Sequence, residues 1–247
     1  MARARWCGEE IYDAVDAFLT RCLVEDGSLF TPSEELWTPD AVAGAVEVVG
    51  AEDLGSGSFI EKLETQLSGL SDRHTQIGTE LLFVLLLAEL DTSGEKKREH
   101  LWRILKPAAR VTALPAELDA ALDAGGAANF AAAKSYRDFG LRFLARVATT
   151  IKAQDPGARK ATVTDPWAFR DLVDGERTST DAMYASALLH LAHPEEFAYV
   201  ISGNHRTKLI NAFAAAPGVN EEPDRDRKIT LIAELTPGST GPRNSVC

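Results

Sequence analysis

Residues Lys134–Lys152 read KSYRDFGLRFLARVATTIK, and the periodicity of this stretch decides the fold class. Tyr136, Phe139, Phe143, Leu144, Val147 and Ile151 recur at three- and four-residue steps, the spacing of one face of a helix. Arg142 and Arg146 share the opposite face. The rest of the chain follows the same period. Ile11, Val15, Phe18, Leu19 and Cys22 form one run, with Gly27 a few residues beyond it. Thr38-Pro39-Asp40 reads as an N-cap with proline in the first helical position, opening a helix over Asp40–Val49. Gly55-Ser56-Gly57-Ser58 reads as a short turn. Phe59, Leu63 and Leu67 mark a further face, and Glu80–Leu90 reads as a helix buried on most sides.

Gly94–Lys106 is charged and amphipathic, with Leu101, Trp102 and Leu105 on its apolar side; Lys106-Pro107 is expected to end it. Pro115–Asp123 is a short helix closed by Gly125-Gly126. Asp165-Pro166-Trp167 is another capped start, and Thr178–Leu191, Asn204–Ala215 and Pro223–Leu235 are three further helices. No pair of alternating runs joined by a turn dipeptide suggests a hairpin of strands. The expected fold is all-α, a bundle-like globular protein of about ten helices. Its expected organisation is a helical region over 1–153, a linker or long loop over 154–164, a second helical region over 165–236 packed on the first, and a disordered tail over 237–247.

The chain has 247 residues, 45% of them apolar, which is enough for a sizeable core. Its longest apolar run, Leu81–Ala88, is too short to cross a bilayer, so no membrane partner is expected. MARARWCGEE lacks the apolar segment of a secretory signal. Cys7, Cys22 and Cys247 are few, odd in number and without metal-ligand spacing, which fits a reducing cytosol.

The net charge of −11 is unevenly spread. Residues 1–64 hold four Lys or Arg against fourteen Asp or Glu, whereas residues 73–160 hold fourteen against ten. Phosphate neutralisation is the main source of non-specific affinity for nucleic acid, so only the middle segment favours such binding. Glu95–Arg110 holds Lys96, Lys97, Arg98, Arg103, Lys106 and Arg110 against Glu95 and Glu99, with Trp102 among them. A basic helix with one aromatic suits a polyanion; the plainer reading puts Trp102 in the core and leaves the cations solvated. Arg142 and Arg146 extend the patch only if they face the same way.

A second polar cluster, Ser202, Asn204, His205, Arg206 and Lys208, opens a helix. Its N–H groups, with Ser202 or Asn204 as cap, offer an anion site for a DNA phosphate, a nucleotide or an acidic loop. The alternative is a capped helix with solvated cations. His190, His193 and His205 lack the companion ligands of a metal site, so no metal and no cofactor is expected. No GxSxG, HExxH, paired CxxC or GxxxxGK[ST] occurs in the chain, and no catalytic residue is assigned.

Four blocks carry a family resemblance. Leu188–Phe213, LLHLAHPEEFAYVISGNHRTKLINAF, joins an apolar helix end, a short Phe-Tyr-Val-Ile turn and the basic cluster. Gly57–Leu67 fits GSFxxKLxxQL; Glu80–Leu87 and Asp165-Pro166-Trp167-Ala168-Phe169 come in the same order along the chain. Together these resemble the region ahead of the motor in McrB-like AAA+ NTPases of modification-dependent restriction systems. The resemblance implies a motor continuing past Ala233, a partner nuclease subunit, and a role in defence against foreign DNA. No Walker residue can be placed on this chain. Two expectations follow: an accessory domain that selects a target, such as modified DNA, or couples a partner to the motor; or a protein-binding adaptor, acting through the acidic first 64 residues, that never touches nucleic acid.

Overall fold

The structure, a computed structural model, describes residues 7–51, 57–108, 110–130 and 137–235. These residues form twelve α-helices and one π-helix. They are α1 (Glu9–Ala17), π1 (Phe18–Val24), α2 (Pro39–Val49), α3 (Phe59–Ser68), α4 (Asp72–Leu87), α5 (Gly94–Ala108) and α6 (Ala116–Asp123). Then come α7 (Arg137–Lys152), α8 (Pro156–Thr164), α9 (Pro166–Glu176), α10 (Ala182–Ala192), α11 (Gly203–Ala212) and α12 (Arg225–Leu235). The fold is all-α, and the only bridge of strand type among the described residues joins Glu89 to Ala128. The expected tail over 237–247, Trp6 and Tyr136 lie outside the described residues.

Helix α4 is the axis. Every residue from Thr75 to Leu87 is buried, and α2, α3, α5, α6 and α7 all pack against it. That is why this helix is apolar all round rather than on one stripe. It begins at Asp72, eight residues before the expected start, because Ser71 caps it by accepting from the His74 N–H. Helix α3 starts with a reciprocal capping box between Ser58 and Glu61. The apolar run that opens at Ile11 is not one α-helix: after Ala17 it widens into π1. Helix α5 continues through Pro107 to Ala108 rather than ending before the proline. Beyond α6 the chain turns back tightly on Glu89. Gly125 has φ +89°, and a Cβ on Gly126 would lie 2.3 Å from the Glu89 carbonyl oxygen, so only glycine fits.

One expectation is corrected. Residues 154–164 are not a linker: Pro156–Thr164 is helix α8. Asp155 caps it through the Ala158 N–H, and Pro156 takes the first helical position. Small side chains along 156–164 made the segment look loop-like, but the Asp-Pro start outweighs them. Arg159 then locks α8 inward, donating to the Lys152 and Gln154 carbonyls and pairing with Asp26 at 3.0 Å. The main core accordingly runs without a break from Ile11 to Phe197. The real division comes later. Val219, Ile229 and Ile232 form a separate small core within the α11–α12 hairpin.

Two buried charges hold the amino-terminal third on this frame. The Glu80 carboxylate is fully buried. Its Oε1 accepts from Ser28 Oγ (2.6 Å), Gln76 Nε2 (2.9 Å) and the Phe30 N–H (3.1 Å). Its Oε2 accepts from Trp37 Nε1 (2.6 Å), the Leu29 N–H (3.2 Å) and the Cys22 thiol (3.8 Å). Lys152, also buried, donates to the carbonyls of Cys22, Leu23 and Glu25 at the end of π1 and to Asp26 at 2.7 Å. Those carbonyls have no partner within the helix, so a cation there is stabilising.

Glu80→Leu is expected to lower stability by about 3 kcal/mol or more, because each buried donor left without an acceptor costs roughly 1–3 kcal/mol. For a chain of this size that corresponds to a fall of roughly 6–12 °C in melting temperature, read by calorimetry. A shift of a degree or less would show that the loop 25–37 does not depend on this carboxylate.

Candidate functional site

Most of the cations expected to form a basic patch are paired or hydrogen-bonded within the chain, several of them at the surface; Lys106 on α5 is exposed, and Arg110 pairs with Glu34. Lys96 Nζ sits 2.7 Å from both Glu99 oxygens on the surface of α5. Lys97 is fully buried and donates to the Gly125 carbonyl at 2.6 Å. Burial pushes its pKa down to about 8, against the opposing pull of Glu89 and other nearby acids. Arg98 forks across Asp119 (2.7 Å) and Asp123 (2.6 Å) on α6. Arg103 turns the other way, to Glu64 on α3 at 2.6 Å. Lys97 and Arg98 are therefore drawn towards α6 and the turn after it, whereas Lys96, Arg103 and Lys106 stay exposed along one side of α5. Trp102 packs on the core, as the plainer reading had it.

On α7, Arg142 pairs with Asp138 at 3.0 Å and lies over the Phe139 ring. Arg146 pairs with the buried Asp181 at 2.6 Å and donates to the Glu176 carbonyl. The sequence shows that α7 carries cations; it does not show that α9 and α10 bring carboxyl and carbonyl oxygens to them.

The 202–208 cluster splits in two. Arg206 is buried, donates to the Val200 carbonyl at 2.8 Å and contacts Asp226 at 2.5 Å. Asn204, His205 and Lys208 are exposed at the start of α11. Ser202 occupies the N-cap position, yet its side chain makes no cap hydrogen bond. The open end of α11 thus keeps unpaired N–H groups beside one lysine and one histidine, without the arginine that would grip an anion bidentately.

Several polar and aromatic arrangements escaped the sequence. His190 Nε2 lies 2.9 Å from the Tyr12 hydroxyl, and Nδ1 lies 2.9 Å from the Phe197 carbonyl. A carbonyl only accepts, so Nδ1 carries the proton and Nε2 accepts from Tyr12. Burial pushes the His190 pKa below its ordinary 6.5, although the Phe197 carbonyl works in the other direction. The imidazole is held neutral as a crosspiece between α1, α10 and residue 197. His193 stands edge-on to Phe169 and Phe197, and burial lowers its pKa as well. His205 is exposed on α11, and no group of acidic, histidine or cysteine side chains among the described residues is placed to hold a metal ion.

Trp167 is half-buried. Asp165 caps α9 by accepting from the Trp167 and Ala168 N–H groups. The indole packs edge-on against Phe197 at 5.3 Å, and the guanidinium groups of Arg170 and Arg227 lie over it at 5.2 and 4.4 Å. This is a structural tryptophan with a partly open face.

Two shallow depressions remain. One, about 270 Å³, lies between α2, α3 and α7 and includes Phe59, Lys62, Gln66 and Arg142. The other, about 310 Å³, runs between α1 and α6; Ala14, Ala17 and Leu118 line its floor, and Glu10, Asp13, Arg21 and Glu117 its rim. Neither places a nucleophile beside a base. No family model, no curated protein and no solved structure matches this chain.

Two outcomes are expected from these contacts. Trp167→Ala removes a half-buried indole, a loss of roughly 2–4 kcal/mol against about 3–5 kcal/mol for a full-core tryptophan. Calorimetry should show melting lowered by at least about 4 °C; an unchanged melt would make the indole a surface group. The second concerns acid. A histidine held neutral in the fold takes up a proton on unfolding, so stability is complete above pH 6.5 and declines as pH falls from there towards the depressed folded value. His190→Gln should show a smaller loss of stability between pH 7.5 and 5.5 than the parent chain, by roughly the share one histidine contributes. Equal losses in both chains would place the acid sensitivity elsewhere.

Proposed function

We propose that this chain is a non-catalytic helical module that binds protein, and that it couples a partner to the McrB-like restriction assembly its sequence resembles. The observation behind this reading is the contrast between its charges. Lys97, Arg98, Arg103, Arg142, Arg146 and Arg206 all point into intramolecular carboxylates or carbonyls. Glu10, Asp13 and Glu117, by comparison, are exposed beside Arg21 on the rim of the α1–α6 groove, and among the described residues they make no hydrogen bond or ion pair. Phosphate affinity needs free cations, because each one that neutralises a phosphate releases counterions. A groove with an apolar floor and an acidic rim suits a protein segment carrying lysine or arginine, with charge steering its approach. Target selection on modified DNA, a partner nuclease and a AAA+ motor belong to the same proposal through the sequence resemblance alone. The exposed start of α11, with Asn204, His205 and Lys208, favours a contact with an anion.

The reading is tested by fluorescence anisotropy with two probes, a labelled DNA duplex and a labelled lysine-rich helical peptide, across a salt series. The peptide should bind at low salt and lose at least about tenfold in affinity in Glu10→Lys/Asp13→Lys, about 1.4 kcal/mol. The duplex should bind weakly or not at all. Tight duplex binding with a steep salt slope, reduced by Lys208→Ala, would replace the protein-binding proposal with the nucleic-acid one.

A further inference from the structure

Residues 197–201, Phe-Ala-Tyr-Val-Ile, run between α10 and α11 without helical structure, and their side chains alternate between two cores. Phe197 is buried in the main core, and Tyr199 and Ile201 pack against it. Ala198 and Val200 pack instead against the small core formed by Val219, Ile229 and Ile232. Side-chain direction alternates along an extended chain, so one short segment serves both cores. The segment expected as a turn is an extended strap.

The strap and the α11–α12 hairpin are closely bound to each other. Arg206 donates to the Val200 carbonyl, Thr230 Oγ1 to the Glu196 carbonyl at 2.7 Å, and Arg225 to the Gly203 carbonyl at 2.7 Å. Leu209, Ile210, Phe213, Ala216 and Leu231 are only half covered around the small core. The hairpin's links to α9 are of another kind. Arg170 reaches Asp224 at 2.7 Å, and Asp226 lies 3.9 Å away. Asp224 is doubly used: its Oδ1 caps α12 through the Asp226 and Arg227 N–H groups, and its Oδ2 meets Arg170. From the same first turn of α12, Arg227 covers the Trp167 ring.

We propose that α11 and α12 form a hinged cover, clasped to α9 by Arg170, that opens as a unit about the strap and uncovers Trp167 while the main body stays folded. Three features carry this. The hairpin has its own core, so it keeps internal contacts when it moves. Among the described residues, the polar links to α9 are few and converge on Arg170. The strap remains anchored by Phe197, which is buried and bonded through its carbonyl to His190, so it sets the hinge line. Elements with small cores and few ties to the body are the ones that open below the global unfolding free energy. Opening carries Arg227 away from the Trp167 ring and exposes that face, while Arg170 loses Asp224 and keeps its α9 neighbours Asp171 and Asp174.

The experiment is hydrogen exchange with mass spectrometry on the whole chain under native conditions. The parent should exchange the amides of α11 and α12 at least about tenfold faster than those of α4 and α7, the mark of sub-global opening. Arg170→Met should accelerate α11 and α12 by a further tenfold or so while leaving α4 and α7 unchanged, and the tryptophan emission should shift to the red. Asp224→Asn, which keeps side-chain volume, should act in the same direction and guards against a packing defect from Arg170→Met. Equal protection of α11, α12 and α4 in the parent would overturn the proposal. So would variants that speed exchange equally throughout the chain, or that leave α11 and α12 unchanged.

Discussion

The fully buried carboxylate of Glu80 is the constraint on which the amino-terminal third depends. It sits on the central helix α4, and both its oxygens accept from side-chain and backbone donors arriving from residues 22–37 and from Gln76. A buried carboxylate is tolerated only when such donors saturate its oxygens. Removing the charge therefore leaves several donors orphaned together. The consequence reaches outward. The loop that wraps Glu80 brings Asp26 to Lys152 and Arg159, which ties π1 to α7 and α8. The same loop closes through the Leu36 and Trp37 N–H groups, both donating to the Asp26 carbonyl. One acid thus organises a segment that has no regular secondary structure to hold it.

A second theme is that formal charge is a poor guide to available charge. By composition the middle of the chain is its basic part. In the fold, Arg98 and Arg103 on α5 are drawn to different helices, and Arg146 is drawn to a buried aspartate. These pairs serve packing and orientation. Exposed or half-exposed pairs contribute little stability each, about 0–1 kcal/mol, but they set a carboxylate beside each cation. The acidic residues are treated differently, since those along the α1–α6 groove remain open to solvent. The surface around the α1–α6 groove is therefore more acidic than the composition of the middle segment suggests.

The carboxy-terminal part shows how a small helical unit can be attached without being merged. His190 fixes the strap at Phe197, the strap feeds side chains alternately into both cores, and Arg170 holds the start of α12. A single continuous core would have made α11 and α12 inseparable from the body. Two cores sharing a strap leave them separable, with Trp167 at the junction.

The sequence by itself determined the helical class and most helix positions, because a face repeating every three or four residues is a local signal. Phe59, Leu63 and Leu67 placed α3, and Asp165-Pro166 placed the start of α9. Where local signals conflicted, the reading failed: Asp155-Pro156 opens α8, but the small residues after it masked the helix. The use of each polar side chain was not legible at all. Nothing local to Glu80 announces Trp37, and nothing local to Arg206 announces Asp226 or turns it inward. Partners such as Cys22 and Lys152, or Tyr12 and His190, meet only after α1, α7 and α10 have packed. Periodicity is a property of neighbours in sequence, whereas hydrogen bonds and ion pairs are properties of neighbours in space, so the tertiary structure alone decided which charges are buried, which are paired and which remain for a partner.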